Sequence, residues 1–149
     1  MTRQLWGKLT HAVTVVAIGA VLVMLGFTEG IAQEGIASAG VYTAEQAERG
    51  KEAYSLDCAA CHLDDLLGDG FAPPLVGEPF DFRWSDLTVG DMYQAIYATM
   101  PQGAPASLST QGYVDIISYL LQSNEYPAGD TELPTDEDAL QDIAIDPAS

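Results

Sequence analysis

Basic residues are scarce in this chain. Its 149 residues include 5 lysines and arginines against 22 aspartates and glutamates, which gives a formal net charge of −17. A protein that binds nucleic acid needs cations to neutralise phosphates, so nucleic acid is excluded as a partner. The same imbalance favours solubility and the electrostatic steering of a basic protein partner.

Cysteine and histidine are also scarce, and most of them lie together. The chain has two cysteines and two histidines, and the stretch SLDCAACHLDD contains Cys58, Cys61 and His62. A structural zinc site needs four nitrogen or sulfur ligands, and this cluster offers three. A thioredoxin-like redox pair needs a βαβ context, and no such pattern is visible. A disulfide is compatible with an exported protein, but it leaves the adjacent histidine without a role.

The pattern C-x-x-C-H is typical of covalent attachment of a c-type haem. On one helical turn, Cys58 and Cys61 lie on one face and can form thioethers with the two vinyl groups, while His62 faces the iron. The cofactor would also supply the interior that a small domain lacks. The motif therefore favours one haem c, with a disulfide or a zinc site as the alternatives.

An exported haem that carries electrons commonly has a methionine opposite its histidine. Met1 and Met24 lie near the N-terminus, which leaves Met92 and Met100 as candidates. Met92 belongs to a helical pattern and is interpreted as a core residue. Met100 directly precedes Pro101, which favours an extended backbone there and lets the side chain point inward from a loop. We therefore predict Met100 as the second axial ligand.

Strand patterns of useful length are missing, whereas helical patterns recur. One helix is predicted after an N-cap at Thr43, a second from Thr88 or Asp91 to about Ala98, and a third after an N-cap at Ser109. The glycine- and proline-rich segment over residues 68–82, between the first two helices, is predicted to be a loop.

The two ends of the chain have different compositions from its middle. Arg3 and Lys8 precede an apolar run over residues 12–27, and small residues follow up to Ala32. This order predicts a secretory signal peptide with cleavage after Ala32. The competing interpretation is a retained membrane anchor, although a spanning helix needs about 20 apolar residues. In either case the remainder is exported, and without its leader it carries 3 basic and 21 acidic residues, a net charge of −18.

The predicted organisation has four parts. Residues 1–32 are the signal peptide or anchor, 33–42 a linker, 43–126 the folded domain, and 127–149 an acidic flexible tail. The tail is assigned as flexible because it has seven acids and no base, and a short helix near TDEDALQDI stays open as an alternative within it.

Four blocks in this order, RGKEAYSLDCAACH, APPLVG, YATMPQGAP and YVDIISYLL, resemble a class I c-type cytochrome over residues 42–126. The nearest likeness is to the small bacterial monohaem cytochromes c. The resemblance implies an all-α cytochrome c fold with three to four helices around one covalently bound haem. It also implies close packing of the first helix against the last through Gly50, Tyr54, Ile116 and Tyr119.

The resemblance implies further roles around the cofactor. The carbonyl of Pro73 would accept a hydrogen bond from the His62 ring, and Trp84 would lie near a haem propionate. The residues expected in the haem pocket or behind it are Phe71, Leu75, Tyr93, Ile96 and Tyr97. The lysines that surround the haem edge in the better-known cytochromes are missing here, so docking through a lysine ring is not expected.

The predicted function is a periplasmic, or otherwise exported, carrier of single electrons between redox partners. Acids after the haem motif, at Asp64, Asp65 and Asp69, favour a partner with a basic docking surface. A haem enzyme or ligand sensor is the alternative, but it would need an open iron position and a distal acid–base group. A membrane-anchored subunit of a larger respiratory, photosynthetic or dehydrogenase complex stays open if the leader is retained.

Overall fold

The computed structural model describes residues 35–146, and within them it is mostly helical. The helices are α1 (Ala44–Asp57), α2 (Ala59–His62), α3 (Glu78–Trp84), α4 (Val89–Thr99), α5 (Thr110–Ser123) and α6 (Glu137–Gln141). Two short strands, β1 (Gly35–Ile36) and β2 (Ile143–Ala144), form a parallel pair. The all-α fold class is confirmed, although these residues hold six α-helices where three to four were expected.

The three longer helices begin at capping residues that the sequence pattern indicates. The side chains of Thr43 and Ser109 accept hydrogen bonds from backbone N–H groups in the first turns of α1 and α5. At α4 the choice between Thr88 and Asp91 resolves as a capping box, in which each side chain accepts from the other residue's backbone N–H. Each helix thus satisfies backbone donors that its first turn leaves without intrahelical partners.

Helices α1 and α5 pack at very short range through Gly50. A Cβ atom built on Gly50 would lie 1.8 Å from the carbonyl oxygen of Asp115, so only glycine fits at this crossing. One turn further along, the rings of Tyr54 and Tyr119 lie 5.3 Å apart between centroids. Ile116 is buried in the same contact. This pairing fixes the end of α1 that carries the cysteines.

Helix α3 corrects the expectation of a loop over residues 68–82. The prolines and glycines there were interpreted as breakers, but Pro79 lies in the first turn of α3, where a missing N–H costs nothing. Gly77 precedes the helix with a positive φ of 70° and turns the chain into it. The buried ring of Phe80 then attaches α3 to the core.

The expected flexible tail from residue 127 is wrong for residues 127–146, which pack on the domain. We call this segment the C-terminal strap. Its apolar side chains are buried at Leu133, Leu140, Ile143 and Ile145. An acidic composition predicts disorder only when too little apolar surface can be buried, and here these four side chains find a place in the core.

The strap also corrects the linker expected over residues 33–42. Strand β1 pairs with β2 in the register Gly35 to Ile143 and Ile36 to Ala144. Next to it, Ala37 and Tyr42 are fully buried. Residues 35–42 are therefore part of the folded domain, because the strap covers them.

A polar network attaches the strap to helix α1. The amide of the fully buried Gln46 donates to the Leu133 carbonyl at 3.2 Å and accepts from the Leu133 N–H at 2.7 Å. One turn later, the Arg49 guanidinium pairs with Asp115 of α5 at 3.0 Å and with Glu132 of the strap at 2.9 Å. Arg49 thus connects two helices and the strap through one side chain.

The predicted signal peptide or anchor over residues 1–32 lies outside the described residues. Among residues 35–146, no helix combines the length and the hydropathy that crossing a bilayer requires. The expectation of a leader therefore stays a prediction.

Candidate functional site

The C-x-x-C-H motif occupies the junction of α1 and α2. Cys58 closes α1, since its N–H donates to the Tyr54 carbonyl at 2.8 Å, and it also begins α2, where the His62 N–H donates to the Cys58 carbonyl at 3.0 Å. Leu63 ends the turn with a positive φ of 62°, and its carbonyl accepts from the Tyr54 hydroxyl at 2.7 Å. The two thiols and the imidazole are therefore presented from a turn that is anchored on both sides.

The His62 ring is held by the carbonyl of Pro73. Its Nδ1 lies 3.0 Å from that oxygen, and the residue is only 7% exposed. A carbonyl oxygen can only accept, so Nδ1 carries the proton and Nε2 keeps a free lone pair. A hydrogen bond of this kind fixes ring orientation and raises the basicity of the other nitrogen. The neighbouring Pro74 does not make this contact.

The loop that carries Pro73 is shaped by tight turns. Asp69 accepts hydrogen bonds at 2.9 Å from the N–H groups of Phe71 and Ala72. Those two bonds, from Ala72 first and then Phe71, hold the pKa of Asp69 below its usual range. Gly68 has a positive φ of 70°, and a Cβ there would lie 2.2 Å from the Ala72 carbonyl oxygen. The loop therefore requires glycine at this position.

Met100 lies where α4 ends, in the extended backbone that the following proline predicts, with φ −126° and ψ 150°. It lines the same cavity as Cys58, Cys61 and His62. Met92, the other candidate, is fully buried in the core and is not among the lining residues. The geometry therefore makes Met100 available to a cofactor in the cavity.

A cavity of about 510 Å³ brings the predicted site residues together. Its walls contain all six of them: Cys58, Cys61, His62, Pro73, Trp84 and Met100. Of the expected pocket residues, Phe71, Leu75 and Ile96 line it, whereas Tyr93 and Tyr97 do not. Tyr93 is buried in the core behind the wall, stacked on Tyr97 at 5.7 Å.

Sequence reasoning missed several wall residues. Arg83, Asp57, Phe82 and Pro79 also line the cavity, and the Arg83 guanidinium lies 4.5 Å above the Trp84 ring. Phe71 and Phe82 are almost fully exposed, so two apolar rings of the cavity lining face solvent. Pro79, Phe82 and Arg83 were missed because α3 was not predicted, whereas Asp57 lies in α1, which was predicted.

Both cysteines have free thiols. Burial, with the nearby charge of Asp57, raises the pKa of Cys58 to about 11, whereas Cys61 is exposed. Among residues 35–146, no cluster of three or more histidine, cysteine, aspartate or glutamate side chains is arranged to hold a metal ion by itself.

The donor set of the cavity fits a haem c. Two thiols three residues apart can form the thioethers, and an imidazole nitrogen and a thioether sulfur can serve as the axial pair. The remaining wall is mainly apolar and can exclude water from a flat cofactor. A cavity of this size lies within the usual range of about 300–1,000 Å³ for small-molecule sites.

Comparison with known proteins gives one family. The model of the family described as "Cytochrome C oxidase, cbb3-type, subunit III" matches residues 45–120, which is just over half of the 149 residues. The match runs from the first turn of α1 through most of α5 and includes the C-x-x-C-H motif. No curated protein and no solved structure matches the chain.

Proposed function

Because this chain belongs to the family described as cytochrome c oxidase, cbb3-type, subunit III, and is a class I c-type cytochrome, we propose that it is an exported carrier of single electrons with His62 and Met100 as axial ligands. Family membership implies a haem c and redox partners in general. The observation that carries the finer proposal is that both cysteines, His62 and Met100 line one cavity.

The bound haem would supply a one-electron redox centre, and the chain would supply its attachment and surroundings. Cys58 and Cys61 would hold it covalently. Pro73 keeps the His62 imidazole in the tautomer whose Nε2 is free to bind a metal. Leu75, Ile96 and neighbouring apolar side chains exclude water from the interior.

Covalent attachment is tested by denaturing the holoprotein in acid and extracting it with organic solvent. Colour should stay with the polypeptide. Cys58→Ser or Cys61→Ser should leave at most one bond, and colour that moves into the solvent from the unaltered protein would refute the proposal.

Axial ligation is tested with paired methionine variants. Met100→Ala should open the site to carbon monoxide in the reduced protein and lower the reduction potential. Met92→Leu should do neither, since Met92 is fully buried in the core. A reversed result would show that the ligand assignment is wrong.

The carrier proposal is favoured over a haem enzyme that uses a distal histidine, because no second histidine follows the predicted leader. Residues 33–149 contain a single histidine, His62, and its ring is already engaged. Slow or absent binding of carbon monoxide by the reduced, unaltered protein at neutral pH supports a closed carrier. Rapid binding would favour a peroxidase-like enzyme or a sensor.

We also propose that docking depends on charge near the cavity. Asp57 and Asp69 line the cavity, and Asp64 and Asp65 are exposed close to the motif in sequence. Cationic hexaammineruthenium should therefore react more slowly as salt rises, and anionic ferricyanide faster. The triple variant Asp64→Asn, Asp65→Asn and Asp69→Asn should reduce the salt dependence of both reaction rates. Asparagine keeps the side-chain oxygen that accepts the turn hydrogen bonds at positions 65 and 69.

The matched control removes three exposed acids that do not line the cavity: Asp130→Asn, Asp138→Asn and Glu125→Gln. It should change the salt dependence less than the first set. Equal effects would mean that only the net charge matters and that these three aspartates have no special role in docking.

The family description favours a second candidate, a cytochrome subunit of a membrane-bound oxidase complex. Sequencing the N-terminus of the purified protein separates the two candidates. A start at Gln33 indicates a free carrier, whereas a retained leader together with co-purified oxidase subunits indicates the second.

A further inference from the structure

Met100 is tied to two helices through its own backbone. Its N–H donates to the Ile96 carbonyl in the last turn of α4 at 2.8 Å. Its carbonyl accepts from the hydroxyl of Tyr113, in α5, at 2.9 Å. Among residues 35–146, no other hydrogen bond reaches that carbonyl oxygen. The Tyr113 hydroxyl therefore supplies the hydrogen bond that joins the Met100 carbonyl to α5.

The Tyr113 side chain is well suited to hold this position. It is fully buried, and its ring packs edge-on against Tyr97 at 5.3 Å and Tyr93 at 6.1 Å. Both of those residues belong to α4, the helix that Met100 directly follows. The ring is thus restrained by one helix while its backbone belongs to another, so the hydroxyl has little freedom to turn away from Met100.

We propose that Tyr113 is a positioning residue. Its hydrogen bond to the Met100 carbonyl, which we call the latch, limits how often the Met100 sulfur leaves its axial position. The inference rests on the proposed function, because it assumes that Met100 is a ligand. Without this hydrogen bond, the Met100 carbonyl loses its donor from α5, and within the described part of the chain the backbone of Met100 is held only by its N–H bond to Ile96. The sulfur would then leave more often, and an external ligand could enter more quickly.

The test is the rate at which cyanide binds to the ferric holoprotein, measured by stopped flow at cyanide concentrations where release of Met100 limits the rate. Tyr113→Phe keeps the ring and its packing but removes the hydroxyl. A net hydrogen bond of ordinary strength predicts a rate roughly 2- to 10-fold higher. The long-wavelength absorption band of a methionine-ligated ferric haem should weaken in parallel.

Tyr126→Phe is the matched control. Tyr126 is 3% exposed, and its hydroxyl donates to a backbone carbonyl of the strap, at Asp146. Tyr126→Phe also loses a hydroxyl-to-carbonyl hydrogen bond, but that bond does not involve Met100. Its free energy of unfolding should therefore fall, while its rate of cyanide binding should equal that of the unaltered protein. If both variants raise the rate equally, general destabilisation is the cause and the latch is refuted.

A second variant covers the case in which Tyr113→Phe does not fold. Site-specific 3-fluorotyrosine at position 113 keeps the shape and strengthens the hydroxyl as a donor, so the cyanide rate should fall. An unchanged rate in either folded variant overturns the latch while leaving methionine ligation intact. If the unaltered ferric protein lacks the methionine band and binds cyanide without a limiting rate, both the ligation proposal and the latch fail.

Discussion

Replacing Gly50 by alanine tests the close contact between α1 and α5. The added Cβ would lie 1.8 Å from the Asp115 carbonyl oxygen, 2.4 Å from its carbon and 3.0 Å from the Ile116 nitrogen. All three are backbone atoms, so no side-chain rotation can relieve the clash. Restoring even a 3.0 Å separation requires α1 and α5 to move apart by about 1.2 Å at this point.

Two opposing effects decide the outcome of Gly50→Ala. Alanine gains about 1 kcal/mol over glycine inside a helix. Overpacking costs about 1–3 kcal/mol. Moving α5 also strains the Arg49–Asp115 ion pair, and this strain costs about another 1 kcal/mol. We expect a net loss of about 2 kcal/mol in the free energy of unfolding, because the clash lies between two backbones.

The measurement is urea unfolding of the holoprotein followed by far-UV circular dichroism. Gly112→Ala is the control in the partner helix, since its nearest atom, the Ser109 Oγ, lies 3.4 Å from the added Cβ. That variant should be unchanged or slightly more stable. If Gly50→Ala is as stable as the unaltered protein, the added Cβ does not clash with the α5 backbone, and this crossing does not require glycine.

Three further perturbations test the strap, the ion pairs and the acid limb of stability. Leu140→Ala should lower the free energy of unfolding in urea by about 2–5 kcal/mol, because Leu140 is fully buried. Leu56→Ala is the control at an exposed residue and should lower it little. Equal losses would contradict a packed strap. Arg49→Gln should cost about 1–3 kcal/mol by the same assay, because it leaves the buried Asp115 carboxylate without its cation, and Lys51→Gln should not. Hydrogen bonds from the backbone N–H and then the hydroxyl of Thr88 hold the pKa of Asp91 below its usual value of about 3.9. The ionised carboxylate therefore stabilises the fold above about pH 3.9. This stabilisation is lost as the pH falls through the lower pKa of the folded state. Asp91→Asn should therefore flatten the loss of stability below about pH 4, and an unchanged acid titration would refute this assignment.

The parts of the fold that local chemistry decides were predictable from the sequence. The caps at Thr43 and Ser109 follow from residue type and position, as does the extended backbone before Pro101. The C-x-x-C-H spacing brings its three side chains onto one turn regardless of the rest of the chain. The close approach at Gly50 was implied by family resemblance rather than by the local pattern.

The strap could not be predicted, because its burial depends on residues far away in sequence. The backbone N–H of Leu133 donates to the Gln46 side chain, and β2 pairs with β1. Gln46 and β1 both lie near the N-terminal end of the domain, far from the strap in sequence. A local composition of acids and few apolar residues gives no sign of such partners. Helix α3 was missed for a different reason, since proline at the first turn is indistinguishable by composition from proline that breaks a helix.

The acidic residues differ in whether a structural partner engages their carboxylates, so the net charge does not show which of them can act in docking. Asp136 caps α6, Asp146 accepts from the Ser38 N–H, and Glu132 pairs with Arg49, so acids of the strap have structural partners. Asp64 is exposed and receives no hydrogen bond from the described residues, which leaves its charge free to act at longer range. Asp69 does both, since it shapes the Pro73 loop and lines the cavity. The proposed docking charge therefore rests on a few particular side chains, and asparagine at those positions separates their charge from their hydrogen bonds.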